Sequence, residues 1–252
     1  MKPEKRVSII GSRISVCDAT RALAALEGRL AARRGGYVCF TNAHAAVLCR
    51  RDAQFRGVTN GSFLSLADGK PVYWLGRLKG ASDLGHVPGP DFLISTLRKF
   101  PQRRHFFYGS TPSVLESLVQ SLRKQIPDLN ICGSLSPPFR QLTQNEVREG
   151  YELIRQAHPD FIWVGLGAPK QELWMAESWQ LLQPAILLGV GAAFDFHAGS
   201  VQRAPAALRL IGFEWLYRLL QEPRRLWKRY LISNTLFLYY AFQDALCGND
   251  RR

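Results

Sequence analysis

Short apolar segments alternate with helical patterns along most of the chain, and this alternation limits the folds it can adopt. Four such segments end at a glycine or a polar turn, at residues 37–42, 105–109, 160–165 and 185–189. Apolar runs of this length beside a turn signal are typical of buried strands. Strands that alternate with helices form βαβ units, so we predict an α/β protein with a mostly parallel sheet and flanking helices.

Several helix starts can be read directly from the sequence. Thr111 places a capping hydroxyl before Pro112 at the first helical position. Thr143 and Glu146 have the spacing of a capping box, which predicts a helix to about residue 157. We also expect Asp91 to cap a helix that runs to about residue 100.

The last fifty residues differ from the rest in composition. Residues 208–242 are rich in Leu, Trp, Tyr and Phe, and Pro223 predicts a break in their helical pattern. We therefore predict an α/β catalytic core at residues 1–205 and a C-terminal helical appendage at residues 206–252. No segment has the roughly 18–20 apolar residues of a spanning helix, and residues 230–243 come nearest.

Charge and cysteine content narrow the partners and the compartment. The formal net charge of +13 favours polyanions, meaning nucleic acid, an anionic membrane or phosphorylated substrates. The five cysteines are odd in number and form no C-x-x-C pair, which argues against a disulfide framework or zinc site. Free thiols and the lack of an apolar segment after the charged first residues indicate a cytoplasmic protein.

Candidate ligand-binding residues follow the predicted strands, because ligands of parallel sheets bind at the carboxyl ends of the strands. Asn42 ends the first strand, Asp68 precedes a glycine, and Lys170 and Gln171 open a helix whose N-terminus could hold phosphates or sugars. Three glycine-rich loops could bring backbone amides to a phosphate, although each alone is more often a tight turn. These loops are at residues 109–110, 165–167 and 189–191.

Several common motifs are missing from the sequence. It contains no D-x-D or E-x-D triplet to hold a metal, and its five histidines lack metal-ligand spacing, so we interpret them as structural or surface residues. The dinucleotide fingerprint, the Walker pattern and the G-x-S-x-G elbow are also absent. We therefore predict no metal site, and expect arginine, lysine or backbone amides to neutralise any bound diphosphate.

Taken together, the motifs resemble a known family. Four stretches carry the main resemblance, at residues 42–44, 67–69, 165–172 and 214–225, and lesser matches occur at 87–91, 136–139 and 189–195. They occur in the family's order and cover roughly residues 35 to 232. The chain resembles the WecG/TagA/CpsF family, which is glycosyltransferase family 26.

The resemblance implies a Rossmann-like fold with an appendage that meets the membrane. It also implies an inverting, metal-independent transfer of a sugar from a UDP-sugar to a polyprenyl-diphosphate-linked acceptor. Such reactions build bacterial surface polysaccharide or teichoic acid, which would place the protein on the inner face of the cell membrane. The UDP-sugar is a co-substrate, and the resemblance implies no other cofactor.

The resemblance also assigns residue roles. It implies that Asp68 is the catalytic base, that Asn42 lies in the active site and that Gln171 lies near the nucleotide-sugar. Arg218 and Arg225 match appendage arginines that close over the site, where they would stabilise the leaving diphosphate. They are seven positions apart and would share one helical face only if the helix were continuous.

The sequence departs from the family at two places. The family often has threonine two positions before the asparagine, where this chain has Phe40, so we take Thr41 as the candidate hydroxyl. A third appendage cation falls on Lys228 instead of arginine, with Arg229 beside it. Lysine can neutralise a phosphate but cannot form a bidentate fork with it.

The appendage suggests how the membrane could take part. Residues 218–229 contain five cations and one acid beside bulky apolar residues. Apolar side chains of this kind enter a membrane interface while cations face anionic headgroups, each contributing about 1 kcal/mol. We hypothesise that the membrane orders this segment and brings its arginines over the UDP-sugar. Deletion of residues 210–252 should then impair transfer to a soluble acceptor.

Three other functions fit the sequence less well. The first is a Rossmann-type nicotinamide-dependent oxidoreductase, but the dinucleotide-binding fingerprint of that class is absent from this chain. The second is a nucleic-acid-binding protein, which would fit the positive charge, but the chain contains none of the motifs of that class. A non-catalytic protein that docks on membranes would not need Asp68, Asn42 and Gln171. The sequence leaves the donor sugar, the acceptor saccharide and assembly into a homo-oligomer open.

Overall fold

A computed structural model describes residues 5–247 of the chain. In this part, six strands form one parallel sheet in the order β4-β3-β8-β7-β5-β6, and two more form an antiparallel hairpin. The hairpin is β1 (Arg6–Ile9) and β2 (Ser12–Ser15). The sheet strands are β3 (Gly36–Thr41), β4 (Leu64–Ala67), β5 (His105–Gly109), β6 (Ile131–Leu135), β7 (Phe161–Gly165) and β8 (Ile186–Gly189).

Helices occupy the connections between these strands and most of the C-terminal part. The first six are α1 (Ala19–Ala31), α2 (Ala43–Arg51), α3 (Ala53–Gly61), α4 (Lys70–Leu78), α5 (Gly89–Lys99) and α6 (Pro112–Gln125). The remainder are α7 (Gln144–Gln156), α8 (Lys170–Ser178), α9 (Ala193–Ala198), α10 (Ala206–Leu210), α11 (Glu214–Gln221) and α12 (Pro223–Cys247). The predicted α/β class is confirmed.

The sheet is buried on both faces, which explains the near-continuous apolar runs. In β7, Phe161 and Trp163 join the hydrophobic cluster on one face. Ile162 and Val164 join the cluster on the opposite face. The four predicted strands are β3, β5, β7 and β8, each confirmed to within one residue at either end. The hairpin, the short strand β4, in which Ser65 interrupts the apolar pattern, and β6 were not predicted from the sequence.

The predicted helix starts are confirmed in two cases and wrong in one. The Thr111 side chain accepts a hydrogen bond from the Val114 N–H, and Thr143 and Glu146 form the expected capping box. Helix α5, however, begins at Gly89, because the Pro88 carbonyl already accepts the Phe92 N–H at 2.9 Å. Asp91 therefore lies inside the first turn and does not cap the helix.

The C-terminal helices pack directly on the α/β body. Glu222 separates α11 from α12, so the break predicted at Pro223 is confirmed. Helix α12 packs against α2, and the Phe237 side chain is buried in the same cluster as Ala46 and Val47 of α2. Within residues 5–247, no helix has the combined length and apolarity needed to cross a bilayer.

Candidate active site

A cleft of about 640 Å³ opens at the carboxyl ends of the parallel strands. It is lined by residues in or directly after the ends of β3, β4, β7 and β8 and by side chains of α11 and α12. The glycine-rich loops take part: residues 165–167 and 189–191 line the cleft, as does Ser110. Gly167 and Gly191 have φ angles of +76° and +53°, a region that favours glycine.

Asn42 and Asp68 lie together on the cleft floor because β3 and β4 are neighbouring parallel strands. Asn42 caps α2, and its Oδ1 atom accepts a hydrogen bond from the Ala45 N–H at 3.1 Å. Its Nδ2 atom therefore faces Asp68 and donates to Oδ2 at 3.4 Å. The other oxygen of Asp68 accepts from the Gly89 N–H at 2.8 Å. The carboxylate is thus held from two sides.

The surroundings of Asp68 make it a stronger base than an ordinary aspartate. Burial raises the pKa of Asp68 from 3.8 to about 6, opposed by the Gly89 and Asn42 hydrogen bonds and reinforced by the nearby Glu214 carboxylate. At neutral pH the group is mainly ionised. A carboxylate with a pKa close to the working pH is well suited to accept a proton in catalysis.

Two histidines also line the cleft. The His86 Nε2 atom lies 2.7 Å from the backbone oxygen of Asp68, and the His44 Nδ1 atom lies 2.8 Å from the Ser233 hydroxyl of α12. Burial lowers the pKa of each imidazole to about 4, so both are neutral at physiological pH. From the sequence they were predicted to be structural or surface residues, since only the fold brings them to the site.

Gln171 lies in the first turn of α8 and is almost fully buried. Its Nε2 atom donates to the Gly189 carbonyl at 2.8 Å and to the Glu172 carboxylate at 2.9 Å. Its Oε1 atom has no hydrogen-bond partner among the described residues and lies beside Gly191 in the cleft wall. Burial raises the pKa of Glu172 to about 7. Within residues 5–247, Gln171 therefore has a buried acceptor without a hydrogen-bond partner in the cleft wall.

Four arginines from the C-terminal helices line the cleft: Arg209 of α10, Arg218 of α11, and Arg225 and Arg229 of α12. Arg218 and Arg225 lie on different helices, so they do not share one continuous helical face, but the bend brings both to the site. The guanidinium of Arg218 lies 5.4 Å from the Phe196 ring centre. Burial raises the pKa of the cleft residue Asp195, and the Arg218 and Arg225 charges oppose that rise.

Three predicted site residues do not line the cleft. Thr41 is fully buried, with its hydroxyl 2.9 Å from that of Ser65. Lys170 and Lys228 are exposed, and the Lys228 ammonium lies over the Trp227 ring. Arg229, noted in the sequence only as the neighbour of Lys228, lines the cleft in its place, because the rotation of α12 turns the next side chain inward.

No cluster of three or more His, Cys, Asp or Glu side chains that could hold a metal ion is found within residues 5–247. The cations that line the cleft are Lys70, at the start of α4, and arginines of the C-terminal helices. The donors available to a diphosphate in this cleft are therefore guanidinium groups, the Lys70 ammonium and the backbone amides of the glycine-rich loops.

The fold and the cleft define an α/β protein with a candidate ligand site at the carboxyl ends of its strands, beside a carboxylate of raised pKa. Residues 7–251 match the model of the glycosyl transferase WecG/TagA/CpsF family. The chain belongs to this family and is a glycosyltransferase.

Two curated relatives share much of the sequence. An N-acetylglucosaminyldiphosphoundecaprenol N-acetyl-beta-D-mannosaminyltransferase of Bacillus spizizenii is 28% identical over 200 residues, which is 79% of this chain and 76% of the relative. The protein of the same description from Bacillus subtilis strain 168 is 30% identical over 200 residues, covering 78% of this chain and 75% of the relative.

Proposed function

We propose that this chain transfers a sugar from a UDP-sugar, with inversion and without a metal, to a polyprenyl-diphosphate-linked saccharide in the synthesis of a bacterial surface polymer. One observation carries the proposal: a carboxylate with a pKa of about 6 and three arginines of α11 and α12 line the same cleft. A base and a diphosphate site are the two groups that an inverting transfer needs.

The reaction would run in a single displacement. The acceptor hydroxyl oxygen attacks the anomeric carbon from the face opposite the UDP, and the bond from that carbon to the diphosphate oxygen breaks. Asp68 takes the hydroxyl proton, and Asn42 holds the carboxylate in place through its 3.4 Å contact. The electron pair leaves with UDP, whose growing charge is met by Arg218, Arg225 and Arg229.

The remaining cleft residues would position the donor. Backbone amides of the loops at 165–167 and 189–191 can approach the phosphates closely because glycine carries no side chain. The free Oε1 atom of Gln171 would accept a hydrogen bond from a donor hydroxyl or N–H group. Both relatives are described as N-acetylmannosaminyl transferases that use N-acetylglucosaminyldiphosphoundecaprenol. UDP-N-acetylmannosamine is therefore the first donor to test.

The test is a donor screen with the full chain. Purified protein is incubated with a membrane-extracted polyprenyl-diphosphate acceptor and a panel of UDP-sugars: UDP-N-acetylmannosamine, its uronic acid and UDP-glucose. We expect release of UDP with one donor, at a rate that EDTA leaves unchanged. Loss of turnover in EDTA would refute the metal-free mechanism. Hydride transfer to a nicotinamide without any sugar transfer would refute the proposed function altogether.

We further propose that α10 to α12 rest on the inner face of the cell membrane. Large apolar side chains are exposed along these helices, among them Leu210, Leu220, Leu231, Leu238 and Phe242. The exposed cations nearby include Arg224 and Lys228. Apolar groups beside cations fit an anionic membrane interface. The division into a core at residues 1–205 and an appendage at 206–252 is part of this proposal.

The fold favours point variants over a deletion for this test. Deleting residues 210–252 would remove Phe237 and expose the hydrophobic cluster that contains Ala46 and Val47 of α2. Loss of activity could then result from destabilisation of the fold and would not by itself show a role of the membrane. We expect Leu231→Glu to reduce flotation with vesicles that contain anionic lipid. The matched control is Leu153→Glu, which changes an exposed leucine of α7. Equal flotation of the two variants would contradict membrane binding through α12.

A further inference from the structure

Glu222 lies between two of the cleft arginines. It is the residue that separates α11 from α12, and its Oε1 atom is 2.5 Å from Nη1 of Arg225. Its Oε2 atom is 3.6 Å from Nε of Arg218. The side chains of Glu222 and Arg218 are only 21% and 13% exposed, so solvent screens this contact weakly. One carboxylate thus contacts two of the three arginines assigned to the diphosphate.

The contact with Arg218 is incomplete. Oε2 of Glu222 and Nε of Arg218 are both buried, and neither has a hydrogen-bond partner among the described residues, because 3.6 Å is too long. Nε of Arg229 is also buried and without such a partner. Buried donors without acceptors are costly. A diphosphate has more acceptor oxygens than a carboxylate and could satisfy donors that Glu222 leaves open.

We propose, building on the proposed function, that Glu222 is an internal counter-anion of the diphosphate site. In the absence of a donor substrate, its carboxylate holds Arg218 and Arg225 at the cleft. The diphosphate of the donor displaces Glu222 from the two guanidinium groups and takes its place. After transfer, Glu222 competes with the product UDP for the same arginines and so favours UDP release. Glu222 is a positioning residue, because it acts through the arginines and touches no reacting atom.

A purely structural role makes the opposite prediction. The two contacts span three and four residues, so Glu222 could simply brace the joint between α11 and α12. Removal of a brace would disorder the arginines and weaken UDP binding. Removal of a competing anion would strengthen UDP binding, even if the thermal stability fell slightly. The sign of the change in UDP affinity therefore separates the two roles.

The experiment measures UDP binding to full-length Glu222→Gln by titration calorimetry. We expect UDP to bind about threefold to fivefold more tightly than to the unaltered chain, as for loss of one partly exposed ion pair. The inhibition constant of UDP and the KM for the donor should fall by the same factor, without a rise in kcat. Glu152→Gln makes the same charge change on the exposed face of α7 and should leave UDP affinity unaltered.

Glu222→Ala serves as a second variant, since glutamine could keep a hydrogen bond to Arg225. The counter-anion role would be overturned if both variants bound UDP with unchanged or lower affinity, or if both failed to fold. Glu222 would then have a structural role between α11 and α12. If Glu152→Gln gained the same UDP affinity, the effect would be due to overall charge, and the counter-anion role would also be overturned. Failure of the unaltered chain to bind UDP would instead overturn the proposed function, and this inference with it.

Discussion

Replacing Asp68 with asparagine should abolish most activity while making the protein more stable. Burial raises the folded-state pKa of Asp68 from 3.8 to about 6, so the ionised carboxylate opposes folding. The raised pKa stabilises the fold below about pH 4, and that stabilisation is lost as the pH rises through about 6. A pKa rise of that size corresponds to roughly 3 kcal/mol, an upper value because Asp68 keeps some contact with solvent.

The change in hydrogen bonding at residue 68 reduces this gain in stability. An asparagine can still accept from the Gly89 N–H through its oxygen. Its amide nitrogen would then face the Asn42 nitrogen, which cannot turn away without losing the Ala45 cap. We set this loss at about 1 kcal/mol. The net gain of about 2 kcal/mol corresponds to a Tm increase of roughly 4–8 °C at about pH 8 and little change at about pH 4.

Activity should change in the opposite direction. Asparagine cannot take the proton of the acceptor hydroxyl, so kcat should fall by about 10²–10⁴-fold. The assay follows UDP release with a saturating donor, alongside thermal unfolding of the same preparations at both pH values. Full turnover in Asp68→Asn would refute the base assignment. A lower Tm at the higher pH would refute the electrostatic account of the site.

Other parts of the site give three further predictions. The kcat of the unaltered chain should decline as the pH falls below about 6, where Asp68 becomes protonated, and a flat profile from about pH 5 to 8 would contradict its role. Arg229→Gln should raise the donor KM about tenfold or more, whereas Lys228→Gln should leave it unchanged, because only Arg229 lines the cleft. If the donor KM rose in Lys228→Gln and not in Arg229→Gln, steady-state kinetics would favour the family-based assignment of Lys228. Gly109→Ala should reduce the free energy of unfolding by roughly 2 kcal/mol in denaturant titrations, since the residue has a φ of +119° and a Cβ would lie 2.7 Å from the Gly165 carbonyl carbon. Unaltered stability would show that β5 and β7 can separate at that point.

Local sequence signals predicted much of the fold. Strands β3, β5, β7 and β8 follow from short apolar runs beside glycine, and the start of α6 follows from Thr111 and Pro112. The hairpin, β4 and β6 were missed because they are short and contain polar residues, so their pairing depends on partners distant in the sequence. The Asp91 cap was wrong because Pro88 is the N-cap of α5, so the helix starts three residues earlier than predicted.

The candidate site, like the fold, could be predicted only in part from the sequence. Asn42, Asp68 and Gln171 could be found in the sequence because each ends a strand or begins a helix in a family motif, and the fold brings all three to one cleft. The motif could not show that Thr41 points into the sheet interior toward Ser65. That orientation depends on the pairing of β3 with β4.

By itself, the sequence determined the α/β class, the break at Pro223 and the residue types available to a diphosphate, because periodicity, caps and proline act over a few residues. Only the tertiary structure decided which cations reach the cleft. The packing of Phe237 on α2 and the contact between Ser233 and His44 fix the rotation of α12, which turns Arg229 inward and Lys228 outward. The pKa of Asp68 was likewise decided by burial, through elements that meet only in the folded chain.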